Sequence, residues 1–236
     1  MNETLRRAAA LIYVEDLEAP QPSADQEHHL LNVLRLRPGE RIVASDGAGT
    51  WRAFELAENR RPSGIRLEAT DECQREVRPE PGVAVGFALQ KGDRSEWTVQ
   101  KLTELGVDRI VPLESERTIV RMNPTGASRR GDRLRRVAKE AAAQSRRVYL
   151  PVVEDPSALH DALAGAVGSY RVAFAEPGGA DSLGAVTAIF IGPEGGWSPS
   201  EVALAPSLID LGPLVLRAET AAIVAGTLLS RQRVAS

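Results

Sequence analysis

The sequence predicts an α/β protein: a domain built on a mostly parallel sheet, preceded by a small β-rich domain. Three observations predict it. Strand-like runs punctuated by turn residues fill roughly the first 72 positions. A stretch rich in charge, proline and glycine, CQREVRPEPG (73–82), then breaks the pattern. Beyond it, short apolar runs alternate with helical patterns to the C-terminus, which is the signature of parallel strands joined by helices.

The elements follow in order. ADQEHHLLNVLRL reads as a short helix from Asp25, with Leu30, Leu31 and Leu34 inward. RPGERIVASDGAGTWRAFEL carries turn signals at Pro38-Gly39 and at Asp46–Gly49 around two strand-like runs, a hairpin pattern. In SGIRLEATDE, Ile65, Leu67 and Ala69 alternate with Arg66, Glu68 and Thr70, the period of a half-buried strand. After the linker, VAVGFAL is a continuous apolar run that fits a strand covered on both faces. DRSEWTVQKLTELG reads as a helix capped by Asp93, with Glu96 at its third position and Gly106 at its stop. RIVPL is the next strand. A helix over 129–145 places Leu134, Val137, Ala138, Ala141 and Ala142 on one face. YLPVV, DPSALHDALAGA, YRVAFAE and TAIFIG continue the alternation. No fixed-period repeat or low-complexity tract occurs.

Composition bounds the class. With 236 residues, 26% charged and 43% hydrophobic, the chain can bury a substantial core. No run of about 20 apolar residues is present, so no membrane span is expected. Arg6 and Arg7 precede only a short apolar patch that meets Glu15 and Asp16, so no signal peptide is expected. Cys73 is the single cysteine, which excludes an intrachain disulfide and points to a cytoplasmic location. His28, His29 and His160 are not spaced to share a metal, and none is expected. The net charge of -3 does not suggest a nucleic-acid binder, yet charge is unevenly spread. Between Arg117 and Arg147 the basic residues are opposed in sequence only by Asp132 and Glu140. Such a stretch is either a polyanion-binding surface or a solvated helix face.

The run TAIFIGPEGGWSPSEV raises the functional question, because a strand ends in a loop almost without side chains. Ser198 caps the following helix, Pro199 fills its first position and Glu201 completes a capping box. The loop has no Lys after Gly196, so it is not a P-loop; its glycines do not fit G-x-G-x-x-G, and no G-x-S-x-G nucleophile occurs. It is either a tight turn needing positive φ or a place where a ligand lies against backbone. A second Gly-Pro, Gly212-Pro213, ends another apolar run in LIDLGPLVLRAETAAIVAGTLL. Ile223, Val224, Thr227 and Leu228 give the helix after it an apolar face. Two adjacent strand ends of this kind would rim a cleft suited to a flat, mostly neutral group such as an adenine ring.

IGPEGGWSPSEV followed by LGPLVLRAETAA resembles the RsmE family of 16S ribosomal RNA uridine N3-methyltransferases, in the SPOUT superfamily. HHLLNVLRLRPGERIVASDGAG resembles that family's PUA-like domain. ALQKGDRSEWTVQKLTELGVDRIVPLESERTIVR and AKEAAAQSRR resemble its central motifs. The resemblance departs at the first strand, whose aromatic content is reduced to Tyr13, and at Arg146, where glycine is common.

The resemblance implies a PUA-like RNA-binding domain over 1–74 and a SPOUT methyltransferase domain over 80–236 with a C-terminal trefoil knot. It implies a homodimer acting on 16S rRNA or the small ribosomal subunit. The cofactor is then S-adenosylmethionine, gripped by Ala175, Ile191, Gly192, Pro193, Glu194, Gly196, Leu211, Gly212, Leu216, Thr220 and Ala221. Because the cofactor is a sulfonium cation, the glycine loop suits close backbone approach better than anion binding. Uridine N3 is a weak nucleophile until deprotonated. Arg217 is expected to hold a uracil oxygen or a phosphate, and Glu219 to act as base or to orient Arg217. Lys91, Arg94, Arg117, Arg121, Arg129, Arg130, Arg133 and Arg136 are expected to contact RNA. A SPOUT enzyme acting on another base, a non-catalytic ribosome assembly factor and an unrelated nucleotide-binding enzyme are the alternatives.

Overall fold

The computed structural model describes residues 2–57, 65–121 and 123–235. By its contacts the chain divides into two units, Met1–Arg78 with Ala142–Leu150, and Pro79–Ala141 with Pro151–Ser236.

The first unit contains α1 (Glu3–Arg7), β1 (Ala10–Tyr13), α2 (Ala24–His28), β2 (Arg41–Ser45), β3 (Thr50–Leu56), β4 (Leu67–Ala69) and β5 (Gln74–Arg75). The hairpin forms as the turn residues predict. β2 and β3 pair antiparallel from Arg41↔Glu55 to Ser45↔Trp51. Gly47 and Gly49 take φ of 74° and 102° in the turn, where a side chain would be strained. β1 adds parallel to β2, while β4 and β5 lie antiparallel along β3. Of the run SGIRLEATDE, Ser63 and Gly64 lie outside the described residues; Ile65 and Leu67 pack on the unit's core.

Two local features differ from expectation. α2 does not continue regularly: after His28 the chain makes a π-helical turn over His29–Val33, and the Leu34 N–H donates to the His29 carbonyl. A wider turn breaks the 3.6-residue spacing. Leu30 is therefore fully buried while Leu31 and Leu34 are exposed rather than inward. Arg146, at the position where glycine is common, has φ 59°. Its guanidinium donates to the Ala8, Ala9 and Ala143 carbonyls at 2.9, 2.8 and 3.0 Å, bonds a glycine could not make.

The second unit contains β6 (Ala84–Ala88), α3 (Arg94–Glu104), β7 (Arg109–Glu114), α4 (Pro124–Gln144), β8 (Val152–Val153), β9 (Ser157–Ala158) and α5 (Leu159–Ala166). β10 (Val172–Ala180), β11 (Ala188–Ile191), α6 (Pro199–Val202), β12 (Leu208–Ile209) and α7 (Ala218–Ala235) complete it. The sheet runs β12-β10-β11-β6-β7-β8, with β9 also on β7, and these pairs are parallel. Side chains alternate cleanly along the central strands. Val85, Phe87, Ile189 and Ile191 face a core shared with Val99 and Leu102 of α3, Leu134 of α4 and Ala222, Ala225 and Leu229 of α7. Ala84, Ala88, Ala188 and Phe190 face the other core, with Leu159 and Ala162 of α5. Continuous apolar runs are required because both faces are covered.

α4 begins at Pro124, five residues before the expected start, because Pro124 suits a first helical position and Asn123 Oδ1 accepts from the Gly126 N–H at 2.8 Å. Asp93 precedes α3 without making a side-chain cap bond. α7 buries a different face from the one predicted. Ala222, Ala225 and Leu229 are inside, whereas Thr227 and Leu228 are exposed. The small residues let α7 approach α3 closely: a Cβ on Gly226 would meet Leu102 Cδ2 at 2.8 Å.

Candidate active site

β11 delivers the chain at Ile191 into the bend Gly192-Pro193-Glu194-Gly195-Gly196, and the Gly196 N–H closes it on the Pro193 carbonyl at 2.8 Å. Gly196 has φ 68°. The capping box at α6 is present: Ser198 Oγ accepts from the Glu201 N–H, and Glu201 Oε2 accepts from the Ser198 N–H. β12 delivers a second bend, from Asp210 through Gly212-Pro213 to Leu216, with Gly212 at φ 133°.

The two bends do not follow adjacent strands. β10 lies between β11 and β12, so its own outgoing segment joins the rim. A cavity of ≈ 240 Å³ lies here, bordered by Ala175, Glu176 and Pro177, by Ile191–Glu194, Gly196 and Trp197, by Asp210–Gly212 and Leu214–Leu216, and by Ala218 and Ala221. It opens at the carboxyl end of a parallel sheet, where such folds place ligands. Its walls are largely backbone and apolar. Ideal Cβ atoms built on Gly196 or Gly212 would project into open space, so neither glycine is required by its packing neighbours.

Asp210 ties the rim together. Its carboxylate accepts from the Gly178 N–H and the Gly212 N–H, each at 2.9 Å, and these bonds, Gly178's first, hold its pKa below the usual carboxylate range. Glu194 pairs with Arg94 at 2.9 Å. With Glu176, three carboxylates border the cavity.

Of the predicted cofactor residues, Ala175, Ile191, Gly192, Pro193, Glu194, Gly196, Leu211, Gly212, Leu216 and Ala221 line this cavity, and Thr220 does not. Gly192 faces the Trp197 indole. Trp197, which sequence reasoning missed, is buried, donates from Nε1 to the Ala175 carbonyl at 3.1 Å and packs on Phe174 with ring centroids 4.7 Å apart. A tryptophan one residue beyond a glycine bend was the available signal. Arg217 and Glu219 flank lining residues without lining the cavity themselves. Arg217 is exposed. Glu219 is half-buried with Oε2 3.5 Å from Gln90 Nε2, and Gln90 is itself buried.

The basic stretch is less bare in space than in sequence. Glu96 engages Arg130 at 3.1 Å and Arg133 at 2.7 Å, and Arg121 donates to the Glu116 carbonyl. Arg117 reaches the glycine bend. Lys91, Arg129 and Arg136 are exposed. Among the described residues no helix is long and apolar enough to cross a membrane, and no group of three or more His, Cys, Asp or Glu could hold a metal.

An RNA methyltransferase domain family matches residues 78–230, which takes in the whole cavity. The chain is 31% identical over 237 residues to the ribosomal RNA small subunit methyltransferase E of Bacillus subtilis, covering 91% of each chain. It belongs to the RsmE family. A second relative with the same name, from Mycobacterium tuberculosis, is 32% identical and covers 94% of this chain and 93% of its own. An RNA methyltransferase PUA domain family matches residues 23–62. Among solved structures, a ribosomal RNA small subunit methyltransferase E from Neisseria gonorrhoeae bound to S-adenosyl methionine superposes with a TM-score of 0.79 at 28% identity, covering 94% of this chain and 97% of that one. The RsmE-family fold is thus the mostly parallel α/β unit with an N-terminal PUA-type unit.

Proposed function

We propose that this RsmE-family protein methylates N3 of a uridine in 16S ribosomal RNA of the small subunit, using S-adenosylmethionine. The observation that supports this reading best is that both Gly-Pro bends border one and the same cavity. The donor's chemistry is a methyl carbon made electrophilic by a sulfonium. The residues around the cavity suit that cation. Glu176 and Asp210 supply negative charge beside the Arg94-paired Glu194, and Ser198 and Glu201 already occupy the first turn of α6, so no anion cradle is left there. Gly196 and Gly212 allow the ligand against the backbone, with Ala175, Ile191, Leu211, Leu216 and Ala221 as apolar walls. Methyl transfer is in-line, so holding nucleophile and methyl carbon in register supplies most of the acceleration.

The chain must also make N3 nucleophilic. Arg217, exposed between Leu216 and α7, stabilises negative charge developing on the uracil, and Glu219, in the first turn of α7, takes the proton or orients Arg217. Lys91, Arg129 and Arg136 contact RNA phosphates, with residues 1–74 acting as a PUA-like RNA-binding domain and 80–236 as the catalytic domain. A homodimer accounts for the second, outward apolar face of α7 at Leu228 and for Leu214 and Val215, which are 77% and 95% exposed at the cavity rim. A trefoil knot at the second bend and a cytoplasmic location complete the reading.

The test is transfer of tritiated methyl groups to undermethylated small-subunit particles, followed by nucleoside mass spectrometry. N3-methyluridine is the expected product; a different methylated base, or none, overturns the assignment.

A further inference from the structure

Arg117 follows β7 and was expected to contact RNA. Its guanidinium does something else. Nη1 donates to the Gly195 carbonyl at 2.8 Å and to the Trp197 carbonyl at 3.1 Å. The two carbonyls lie one on each side of Gly196, the first within the bend that borders the cavity and the second immediately after it. The stem packs there too: a Cβ built on Gly195 would lie 3.6 Å from Arg117 Cδ. The neighbouring residue fastens α6, the helix that follows the bend. The Glu116 N–H donates to Glu201 Oε1 at 2.8 Å, and Ser200 Oγ donates to Glu116 Oε1 at 2.8 Å. Glu201 is buried, so its two oxygens are fully committed to Ser198 and Glu116.

Against these fastenings, the bend itself contributes one internal backbone bond, Gly196 N–H to Pro193 carbonyl, and three of its five residues are glycines with no side chain to hold them. A glycine bend left alone samples many backbone conformations. Arg121, four residues on, turns instead to the Glu116 carbonyl and towards the Glu114 carboxylate.

We propose that Arg117 is a positioning residue for the methyl donor rather than an RNA contact: it straps the glycine bend through the Gly195 and Trp197 carbonyls and so sets the cavity wall at Gly196. This rests on reading the cavity as the S-adenosylmethionine site. The planar guanidinium suits the role because one nitrogen reaches two carbonyls while the stem covers Gly195.

The strap is testable with and without the ligand. In the ligand-free protein, hydrogen exchange of the 195–198 amides should be about tenfold faster in Arg117→Ala than in wild type, and unchanged in Arg121→Ala. Calorimetry should show the S-adenosylmethionine Kd raised about tenfold in Arg117→Ala, as for loss of a charge-assisted hydrogen bond. KM for the donor should rise in step, while KM for the RNA substrate and kcat change less than about twofold. Wild-type exchange at 195–198 in Arg117→Ala overturns the strap whatever the ligand does. Wild-type donor affinity with weakened RNA binding overturns it in favour of an RNA contact. Failure of the wild-type protein to bind the donor would instead sink the proposed function, and the exchange comparison would still decide the strap.

Discussion

The indole of Trp197 sits directly against the bare α-carbon of Gly192: a Cβ built there would meet its Cδ2 and Cε2 atoms at 3.1 Å. The same ring closes on Phe174 and hydrogen-bonds the Ala175 carbonyl, so it joins the first bend to β10. Trp197→Ala should lower unfolding free energy by about 3–5 kcal/mol, the range for emptying a buried aromatic site. Gly192→Ala should cost only about 1–2 kcal/mol, by overpacking. Urea unfolding followed by far-ultraviolet circular dichroism distinguishes the two; equal effects would show that the indole is not held against the bend.

Gly196 separates strain from obstruction. At φ 68° an L-residue other than Asn or Asp pays about 1–2 kcal/mol. Gly196→Val should abolish donor binding, and Gly196→Asn, which tolerates this backbone, should fold normally and still bind poorly. Wild-type affinity in the Asn variant, measured by calorimetry, would show that the bend is only a turn.

Arg217→Ala should keep donor affinity and lose about 10²-fold or more in kcat, if the guanidinium stabilises charge that develops only during transfer. Single-turnover methylation at saturating donor reads this directly. Near wild-type turnover would remove Arg217 from the chemistry.

Asp108 and Arg233 form an ion pair in which both side chains are more than nine-tenths buried, and the Asp108 carboxylate also accepts from the Val83 N–H at 3.0 Å. Arg233→Ala leaves a buried carboxylate short of its cation and should cost about 3–5 kcal/mol in urea unfolding. A loss below about 1 kcal/mol would mean that the end of α7 frays without consequence.

Asp210 makes the rim sensitive to acid. Its folded pKa is depressed by the Gly178 and Gly212 N–H groups. The stabilisation is therefore complete above the unfolded aspartate value of about 3.9 and disappears as pH falls through the lower folded value. Between pH 5 and 8 (about the range where aspartate stays ionised) this group should leave stability flat. Urea midpoints below about pH 4 should fall less steeply in Asp210→Asn than in wild type; identical slopes would show that the two bonds are not made in solution.

Much of the second unit was legible because its determinants are local. The continuous apolar runs VAVGFAL and TAIFIG form strands covered on both faces, as read, and the Ser198–Glu201 capping box needs only four residues to specify. The bends were legible as bends. What escaped depends on tertiary partners. The buried face of α7 is chosen by how close α3 must come, which favours Ala222, Ala225 and Gly226 over the bulkier Ile223 and Leu228. The π-helical turn at His29–Val33 has no periodic signature, so Leu31 and Leu34 were misplaced. Arg117 reads as one more basic residue in its stretch, because its partners lie 78 and 80 positions away.

The pairing of β6 carries a consequence for how the molecule is made. Ala84 to Phe87 take Ala188 to Ile191 as neighbours on one side, across a gap of about a hundred residues. While the polypeptide is still emerging from the ribosome, β6 can acquire β7 early but keeps its other edge bare until the distant partner arrives. An exposed row of amide and carbonyl groups at the centre of the future sheet invites mispairing with other nascent chains. Pairing of this edge therefore waits for the emergence of β11, and slow elongation before residue 188 lengthens the vulnerable interval.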